Sequence, residues 1–314
     1  MTGVQTCALP IFIDTLNPLV IRVNQHPDYT EDEGYPDHVI DVKTGDQRLS
    51  CIGSSILDQL PGFIEDCTYV VAQGDTATCF YTLLTAYQMK KKCVHVEAGM
   101  RTYDLNNPWP EESYRQMISR IASVHFCPSR LESHALGVEQ ASGEVYIVGN
   151  PILDLVRSYG IPVTREKRVL VTLHRRENWD KYTELIQRLD TLASEHPDYE
   201  FVFLVHPNPA LKALVHEHGK HLKVSEPVSH RRLIEILSSC ACVITDSGGI
   251  QEEANFLGKH MYVLRECTER KMIHQSRCVV NPETIDIVGA PYHEPGLEYG
   301  DGHADRKSTR LNSS

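Results

Sequence analysis

The sequence predicts an α/β protein with two domains, each built on a parallel β-sheet that helices cover. The chain has 314 residues, enough for two domains of roughly 150 residues each. Short apolar runs alternate along the chain with amphipathic segments. These runs are apolar at successive positions rather than at every second one, which is typical of strands buried on both faces of a parallel sheet.

Ten strands are predicted in two series, with helices between them. The first series comprises Leu19–Val23, His38–Val42, Thr68–Gln73, Val94–Glu97, Val124–Cys127 and Val145–Val148. The second series comprises Val169–Leu173, Phe201–Val205, Cys242–Thr245 and Met261–Leu264. The predicted helices include Thr76–Lys90, Glu111–Ile121, Lys181–Glu195 and Arg231–Ser239. Regular alternation of strand and helix favours parallel pairing with crossover connections.

The two series are separated by a break near Arg157–Arg168, where Gly160, Pro162 and a charged patch interrupt the alternation. We therefore predict domains at residues 13–160 and 161–290, with residues 291–305 returning toward the first domain. Residues 1–12 and 306–314 show neither periodicity nor helix caps. They resemble peptides translated from sequencing adapters, so we expect them to be foreign to the fold; a genuine frayed terminus at each end is the alternative.

Composition excludes some classes of protein. The chain carries 31 Lys and Arg against 42 Asp and Glu, a formal net charge of −11, which argues against sequence-independent binding of nucleic acid. It has no apolar run of about 18 residues, so no membrane span is expected. The ten cysteines are scattered, and several lie in apolar runs. We interpret them as reduced and structural, which predicts a cytoplasmic protein.

A strand followed by a Ser-Gly-Gly turn gives the sharpest local signal. After Cys242–Thr245 comes Asp246-Ser247-Gly248-Gly249, and then a predicted helix with Glu252 and Glu253 in its first turns. The glycines would let a phosphate approach backbone N–H groups at the positive end of a helix. The acidic pair could accept hydrogen bonds from ribose hydroxyls. An ordinary strand–helix turn, with acids favoured by the helix dipole, is the alternative.

Carboxylates stand at strand and helix ends in the first half of the chain. Glu97 ends an apolar strand, where an unpaired carboxylate is costly, so it is a candidate acid or base; alternatively it pairs with Arg101 or His95. Asp75 closes another strand and could merely cap the following helix. Glu111 and Glu112 begin a helix, which is also good capping.

Histidines follow two strands of the second half. His174 could act as an acid or base, and the arginines beside it could neutralise phosphate; a basic surface turn is the alternative. His206 follows the next strand in the same way. Because these residues form no spaced metal motif, we expect no metal site.

Together, ordered blocks of sequence between Asn24 and Asp305 closely resemble the non-hydrolysing UDP-N-acetylglucosamine 2-epimerases. The blocks are Gln25-His26, Gln73–Thr76, His95–Arg101, Pro108–Glu112, Gly149-Asn150, His174–Glu177, His206–Pro209, Asp246–Glu253, Thr268–Arg270 and Tyr299–Gly302.

The resemblance implies two Rossmann-like domains of the glycosyltransferase-B type, with UDP-sugar in a central cleft. It implies that UDP leaves C1 as the C2 proton is lost, and that UDP re-adds to 2-acetamidoglucal. The product, UDP-N-acetylmannosamine, would supply cell-surface polysaccharides. By resemblance the catalytic residues are Asp75, Glu97, Glu111 and His174. The substrate-binding residues are His206, Ser247, Gly248, Gly249, Glu253 and Arg270. Gln25 and His26 match residues linked to a second, regulatory UDP-N-acetylglucosamine. A homodimer without cofactor or metal is implied.

The chain departs from the family pattern in several places. The family's first strand with its Gly-Thr-Arg-Pro-Glu loop, and its last helix, are absent, so we expect weak or absent activity and low stability. Gln73 replaces His, Lys271-Met272 replace Pro-Glu, and His230 stands where Tyr is frequent. An epimerase for a UDP-diacetamido-uronic acid, a glycosyltransferase and a non-catalytic nucleotide-sugar binder remain alternatives.

Overall fold

The computed structural model describes residues 19–24, 37–43, 45–173, 176–206, 208–265, 270, 273, 276–278, 284–304 and 307, with 176–178 and 276–278 described for their backbone only. The chain divides into two compact units. The N-terminal unit is Thr2–Asp154 with Gly302–Ser314, and the C-terminal unit is Leu155–Asp301. In the described ranges, no helix is both long enough and apolar enough to cross a membrane.

The described part of the N-terminal unit contains six strands and five helices. The strands are β1 (Ile21–Asn24), β2 (His38–Asp41), β3 (Tyr69–Gln73), β4 (Lys92–Val96), β5 (Val124–Cys127) and β6 (Glu144–Ile147). The helices are α1 (Arg48–Phe63), α2 (Ala77–Gln88), α3 (Glu111–Ile121), α4 (Arg130–Val138) and α5 (Pro151–Ser158), the last of which crosses into the other unit.

Parallel pairing organises the N-terminal unit into two sheets, β1-β2 and β3-β4-β5-β6. Apolar residues of α1 and α2, such as Ile52, Ile56 and Leu83, pack with Ile40 of β2 and Val70 of β3 in one core. This shared core fixes the ends of β3 and β4 against the start of α2. Ala304, late in the chain, donates its backbone N–H to Asp154 Oδ1 at 2.9 Å.

The described part of the C-terminal unit has six parallel strands in the order β12-β11-β10-β7-β8-β9. The strands are β7 (Arg168–Thr172), β8 (Glu200–Leu204), β9 (Lys223–Ser225), β10 (Cys242–Thr245), β11 (His260–Val263) and β12 (Ser276–Cys278). The helices are α6 (Tyr182–Glu195), α7 (Pro209–His218), α8 (His230–Ser239) and α9 (Gly248–Phe256). The central strands β7, β8 and β10 are buried almost throughout, and Val171, Phe203 and Ile244 are fully enclosed.

All ten predicted strands are confirmed, with ends that shift by at most two residues. The sequence analysis missed β9 and β12, which have only three residues each. Some of the described helices begin at a side chain that caps them. Thr76 caps α2 by accepting the N–H of Cys79, and Asn208 caps α7 with Pro209 at the first helical position. The predicted domain limits at 160 and 290 stay predictions.

Candidate active site

Two candidate carboxylates lie at the ends of neighbouring strands of the N-terminal unit. β3 leads through Gly74, whose φ is +83°, into Asp75, and β4 leads directly into Glu97. The two strand ends are tied together because Gly74 donates its N–H to the carbonyl of Val96 at 3.1 Å. The structure therefore brings Asp75 and Glu97 to the same edge of the sheet, where ligands of parallel sheets bind.

Glu97 differs from the prediction in its backbone. The strand ends at Val96, and Glu97 adopts a φ of +66°, the left-handed region that a residue with a side chain rarely enters. Its carboxylate lies beside Gly74, and the Gln73 amide donates to its Oε2 at 3.4 Å. Strained backbone of this kind is concentrated at functional sites.

The alternative in which Arg101 or His95 neutralises Glu97 is wrong. Arg101 forms a two-pronged pair with Glu139, at 2.8 Å and 2.9 Å. Burial lowers the pKa of His95 to about 4, so its ring is neutral at pH 7. That ring holds the Gly74 carbonyl at 2.8 Å instead, and so supports the turn that carries Asp75.

Asp75 is positioned by an arginine that the sequence analysis did not single out. The Nε and Nη2 groups of Arg115 both donate to Asp75 Oδ2, at 2.9 Å and 2.7 Å. Arg115 also donates to Glu112 at 3.2 Å. The capping alternative for Asp75 is wrong, because Thr76 supplies the cap of α2. The sequence offered one signal for Arg115: it follows Glu112 by three residues in a predicted helix, a spacing at which side chains interact.

The adjacent acids at the start of α3 have different surroundings. Glu112 is fully buried, and its carboxylate accepts the backbone N–H groups of Thr102 and Tyr103 and the amide of Gln116. Glu112 is therefore a structural anchor for the segment before α3. Glu111 is only half-buried and begins the same helix that carries Arg115. This leaves Glu111 as the candidate for contact with a ligand.

The thiol of Cys79 lies close enough to this sheet edge for the carboxylates to affect its pKa. Burial raises the pKa of this thiol well above its usual value, and the charges of Asp75 and Glu97 raise it further. Asp75 and Glu97 therefore both lie near the first turn of α2, which contains Cys79. A base and an acid so placed can remove and return a proton on a ligand bound above them.

The C-terminal unit carries the Ser-Gly-Gly turn at the end of β10. Thr172 and Thr245 share a hydrogen bond between their hydroxyls at 2.7 Å, and Thr245 accepts the N–H of Ser247 at 3.0 Å. Ser247 is the N-cap residue of α9, and Gly248 and Gly249 are its first residues. A Cβ added at Gly249 would meet no atom of the described residues within 4 Å, so none of them blocks this helix start from a ligand.

The acids of α9 each pair with a cation or a histidine. Glu252 accepts the Nε–H of Arg270 at 2.9 Å, and both side chains are buried. Glu253 lies 2.8 Å from Nε2 of His230. Arg270, the predicted phosphate ligand, is therefore held by Glu252 of α9. Glu253, the predicted ribose ligand, is held by His230 of α8.

Four predicted site residues remain: the structure describes one of them, and three lie outside the described residues. His206 follows β8, is 9% exposed, accepts the N–H of Asn208 through Nδ1 at 3.0 Å and packs edge-on against Trp179. His174, Gln25 and His26 lie outside the described residues. Among the described residues, no group of three His, Cys, Asp or Glu side chains could hold a metal ion.

Comparison with known proteins identifies similar sequences over most of the chain. The sequence model of a family described as UDP-N-acetylglucosamine 2-epimerase matches residues 29–307. A Campylobacter jejuni protein named UDP-N-acetylglucosamine 2-epimerase is 34% identical over 283 residues, which cover 81% of this chain and 72% of that protein.

Solved structures are similar as well. The S. aureus MnaA–UDP co-structure has a TM-score of 0.84 at 26% identity, covering 98% of this chain and 94% of that chain. A Methanocaldococcus jannaschii UDP-GlcNAc 2-epimerase, in complex with UDP-GlcNAc and UDP, has a TM-score of 0.76 at 25% identity, covering 98% and 96%. These similarities confirm the predicted fold class, two Rossmann-like domains of the glycosyltransferase-B type.

Proposed function

Because this chain belongs to the family of UDP-N-acetylglucosamine 2-epimerases, we propose that it interconverts UDP-N-acetylglucosamine and UDP-N-acetylmannosamine. The family assignment covers residues 29–307. The structural observation that carries the proposal is that Asp75 and Glu97 lie at the carboxyl ends of the adjacent strands β3 and β4. Two carboxylates at one sheet edge are what a reaction needs when a proton leaves one face of a carbon and returns to the other.

The reaction proceeds by elimination and addition. The C2 proton of the sugar is not next to a carbonyl, so its direct removal is unfavourable. In the proposed route a carboxylate takes the C2 proton, the C1–O bond to UDP breaks, and 2-acetamidoglucal forms. A second acid then delivers a proton to the opposite face of C2, and UDP adds back to C1. Asp75, Glu97 and Glu111 are the candidates, with the roles of acid and base left open among them.

The N-terminus of α9 is the proposed diphosphate site. Ser247, Gly248 and Gly249 offer backbone N–H groups and the positive end of the helix dipole, which would stabilise the charge that develops on the leaving UDP. Glu253, one turn further along the helix, would accept the ribose hydroxyls. Arg270 and His206 would contribute positive charge or hydrogen bonds to UDP, together with His174.

Several parts of the proposal concern the whole protein. The seven cysteines described as free thiols support a reducing compartment, and we place the enzyme in the cytoplasm. A homodimer, and a second UDP-N-acetylglucosamine that binds near Gln25 and His26 as a regulator, belong to the same proposal. The elimination transfers no hydride and therefore requires no nicotinamide, and we propose that the leaving UDP is stabilised by protein groups without a metal ion.

The proposal is tested by incubating the chain with UDP-N-acetylglucosamine in deuterium oxide. An epimerase incorporates deuterium at C2 and forms UDP-N-acetylmannosamine without any acceptor, and prolonged incubation makes slow turnover visible. A glycosyltransferase or a simple binder would return unlabelled substrate. Labelling of a UDP-diacetamido-uronic acid, with UDP-N-acetylglucosamine left unlabelled, would identify the alternative sugar. As a matched control, Asp75→Asn is expected to abolish labelling while UDP still binds.

A further inference from the structure

Three side chains of the C-terminal unit form a hydrogen-bonded row that ends at Glu253. The Tyr159 hydroxyl lies 2.9 Å from Nδ1 of His230, and Nε2 of His230 lies 2.8 Å from Oε1 of Glu253. His230 is 12% exposed and Glu253 is 6% exposed, so the row is largely shielded from water. Tyr159 precedes β7, His230 begins α8, and Glu253 lies in α9.

The direction of these hydrogen bonds is fixed by chemistry. An ionised carboxylate only accepts, so the Nε2 atom of His230 carries a proton and donates it to Glu253. In the neutral ring Nδ1 then accepts from the Tyr159 hydroxyl. His230 therefore holds Oε1 of Glu253, and Oε2 is the atom that we expect to accept a hydrogen bond from a ligand.

Helix geometry places this carboxylate beside the open helix start. Gly249 and Glu253 are four residues apart in α9, so they lie on the same face, about 6 Å apart along the axis. A Cβ added at Gly249 meets nothing within 4 Å, whereas Glu253 is enclosed and tethered. A nucleoside diphosphate held at Gly249 would extend its sugar toward the tethered carboxylate.

We propose that His230 is a positioning residue that orients the Glu253 carboxylate for the 2′-hydroxyl of a ribonucleoside diphosphate. His230 thereby sets the preference for ribose over 2′-deoxyribose. This inference rests on the proposed function, because it takes UDP as the ligand. His230 itself does not touch the reacting carbon, so its replacement changes nucleotide selection before it changes the chemical step.

The test compares UDP with 2′-deoxy-UDP by isothermal titration calorimetry on the full chain. The wild type is expected to bind UDP at least about 10-fold more tightly, as expected for a hydrogen bond to a charged group. His230→Leu is expected to reduce that preference to below about threefold, because Glu253 loses the donor that orients it. His230→Gln should restore it, since the glutamine amide can place an N–H donor near the position of Nε2. His221→Leu is the matched control, because His221 pairs with Asp190 at 2.9 Å on an exposed surface of the same unit.

The outcomes separate the two proposals. A full preference in His230→Leu, or no preference in the wild type that binds UDP, would overturn the role of His230 and leave the proposed function standing. A wild type that binds neither nucleotide would overturn both. Should His230→Leu not fold, His230→Asn replaces it, because its shorter amide does not reach Glu253 Oε1. Equal loss of preference in the His221→Leu control would also count against the inference.

Discussion

Replacement of Arg115 by methionine tests how the candidate catalytic edge is held together. The Arg115 side chain is 6% exposed and is shared by Asp75, which is 30% exposed, and by Glu112, which is fully buried. Removing one partner of a buried ion pair costs about 3–5 kcal/mol, because the other charge stays buried without compensation. Glu112 keeps three donors, from Thr102, Tyr103 and Gln116, so we expect the lower end, about 3 kcal/mol.

The assay is hydrogen exchange across a urea series, followed on peptides from residues 69–127, which isolates the N-terminal unit. Lys43→Met is the matched control. Lys43 pairs with Asp58, but the two side chains are 55% and 61% exposed, so its loss is expected to change stability by at most about 1 kcal/mol. If Arg115→Met stays within about 1 kcal/mol of the wild type, Arg115 does not carry the buried charge balance inferred here.

Four further predictions concern particular residues. Gly99→Ala is expected to cost about 3 kcal/mol or more, because Gly99 has a φ of +93° and an added Cβ would lie 2.4 Å from the carbonyl oxygen of Glu132. Gly249→Ala, where the same addition meets open space, should leave thermal stability unchanged while weakening UDP binding. Burial lowers the pKa of His95 to about 4, so the unfolded chain takes up the extra proton and stability should fall as pH drops from about 6.5 to 4, by on the order of 3 kcal/mol. His95→Gln should flatten that part of a urea-denaturation pH profile, and an unchanged profile would contradict the assignment. Burial also raises the pKa of Cys127 to about 12 and of Cys93 and Cys240 to about 11. Among the seven cysteines whose side chains are described, iodoacetamide at pH 8 should therefore label Cys51 and Cys67 first in the native protein, as read by peptide mass spectrometry. Equal labelling of Cys127 would show that its strand opens readily.

The strands and the sheet-edge position of Asp75 and Glu97 could be predicted because they depend on local pattern. Apolar runs of four to six residues identify buried strands, and polar residues that follow such runs must emerge at the carboxyl edge of a parallel sheet. The left-handed backbone of Glu97 could not be predicted, because nothing local disfavours a regular strand end there. In the folded chain the Glu97 carboxylate lies beside Gly74 and Gln73, which belong to the neighbouring strand and not to the local sequence of Glu97.

The hydrogen-bonding partners of the site residues could not be predicted from the sequence, because they are far apart along the chain. Arg115 meets Asp75 across 40 residues of chain, and Tyr159 meets His230 across 71. Tertiary packing, such as that of α3 against α2, sets these distances, and no local pattern in the sequence encodes it. The acidic net charge was similarly uninformative about an anionic ligand, because the open helix start at Gly249 provides local backbone donors.

Solvent deuterium incorporation at C2 tests the central claim most directly. The sequence led us to expect weak or absent activity, and the shared sheet edge of Asp75 and Glu97 favours weak activity. The wild-type chain, incubated with UDP-N-acetylglucosamine in deuterium oxide, is therefore predicted to yield slowly UDP-N-acetylmannosamine that carries deuterium at C2, as seen by NMR and mass spectrometry. Asp75→Asn and Glu97→Gln should bind UDP but lose this labelling. Recovery of unlabelled UDP-N-acetylglucosamine, after prolonged incubation with a wild-type protein that demonstrably binds UDP, would contradict the account.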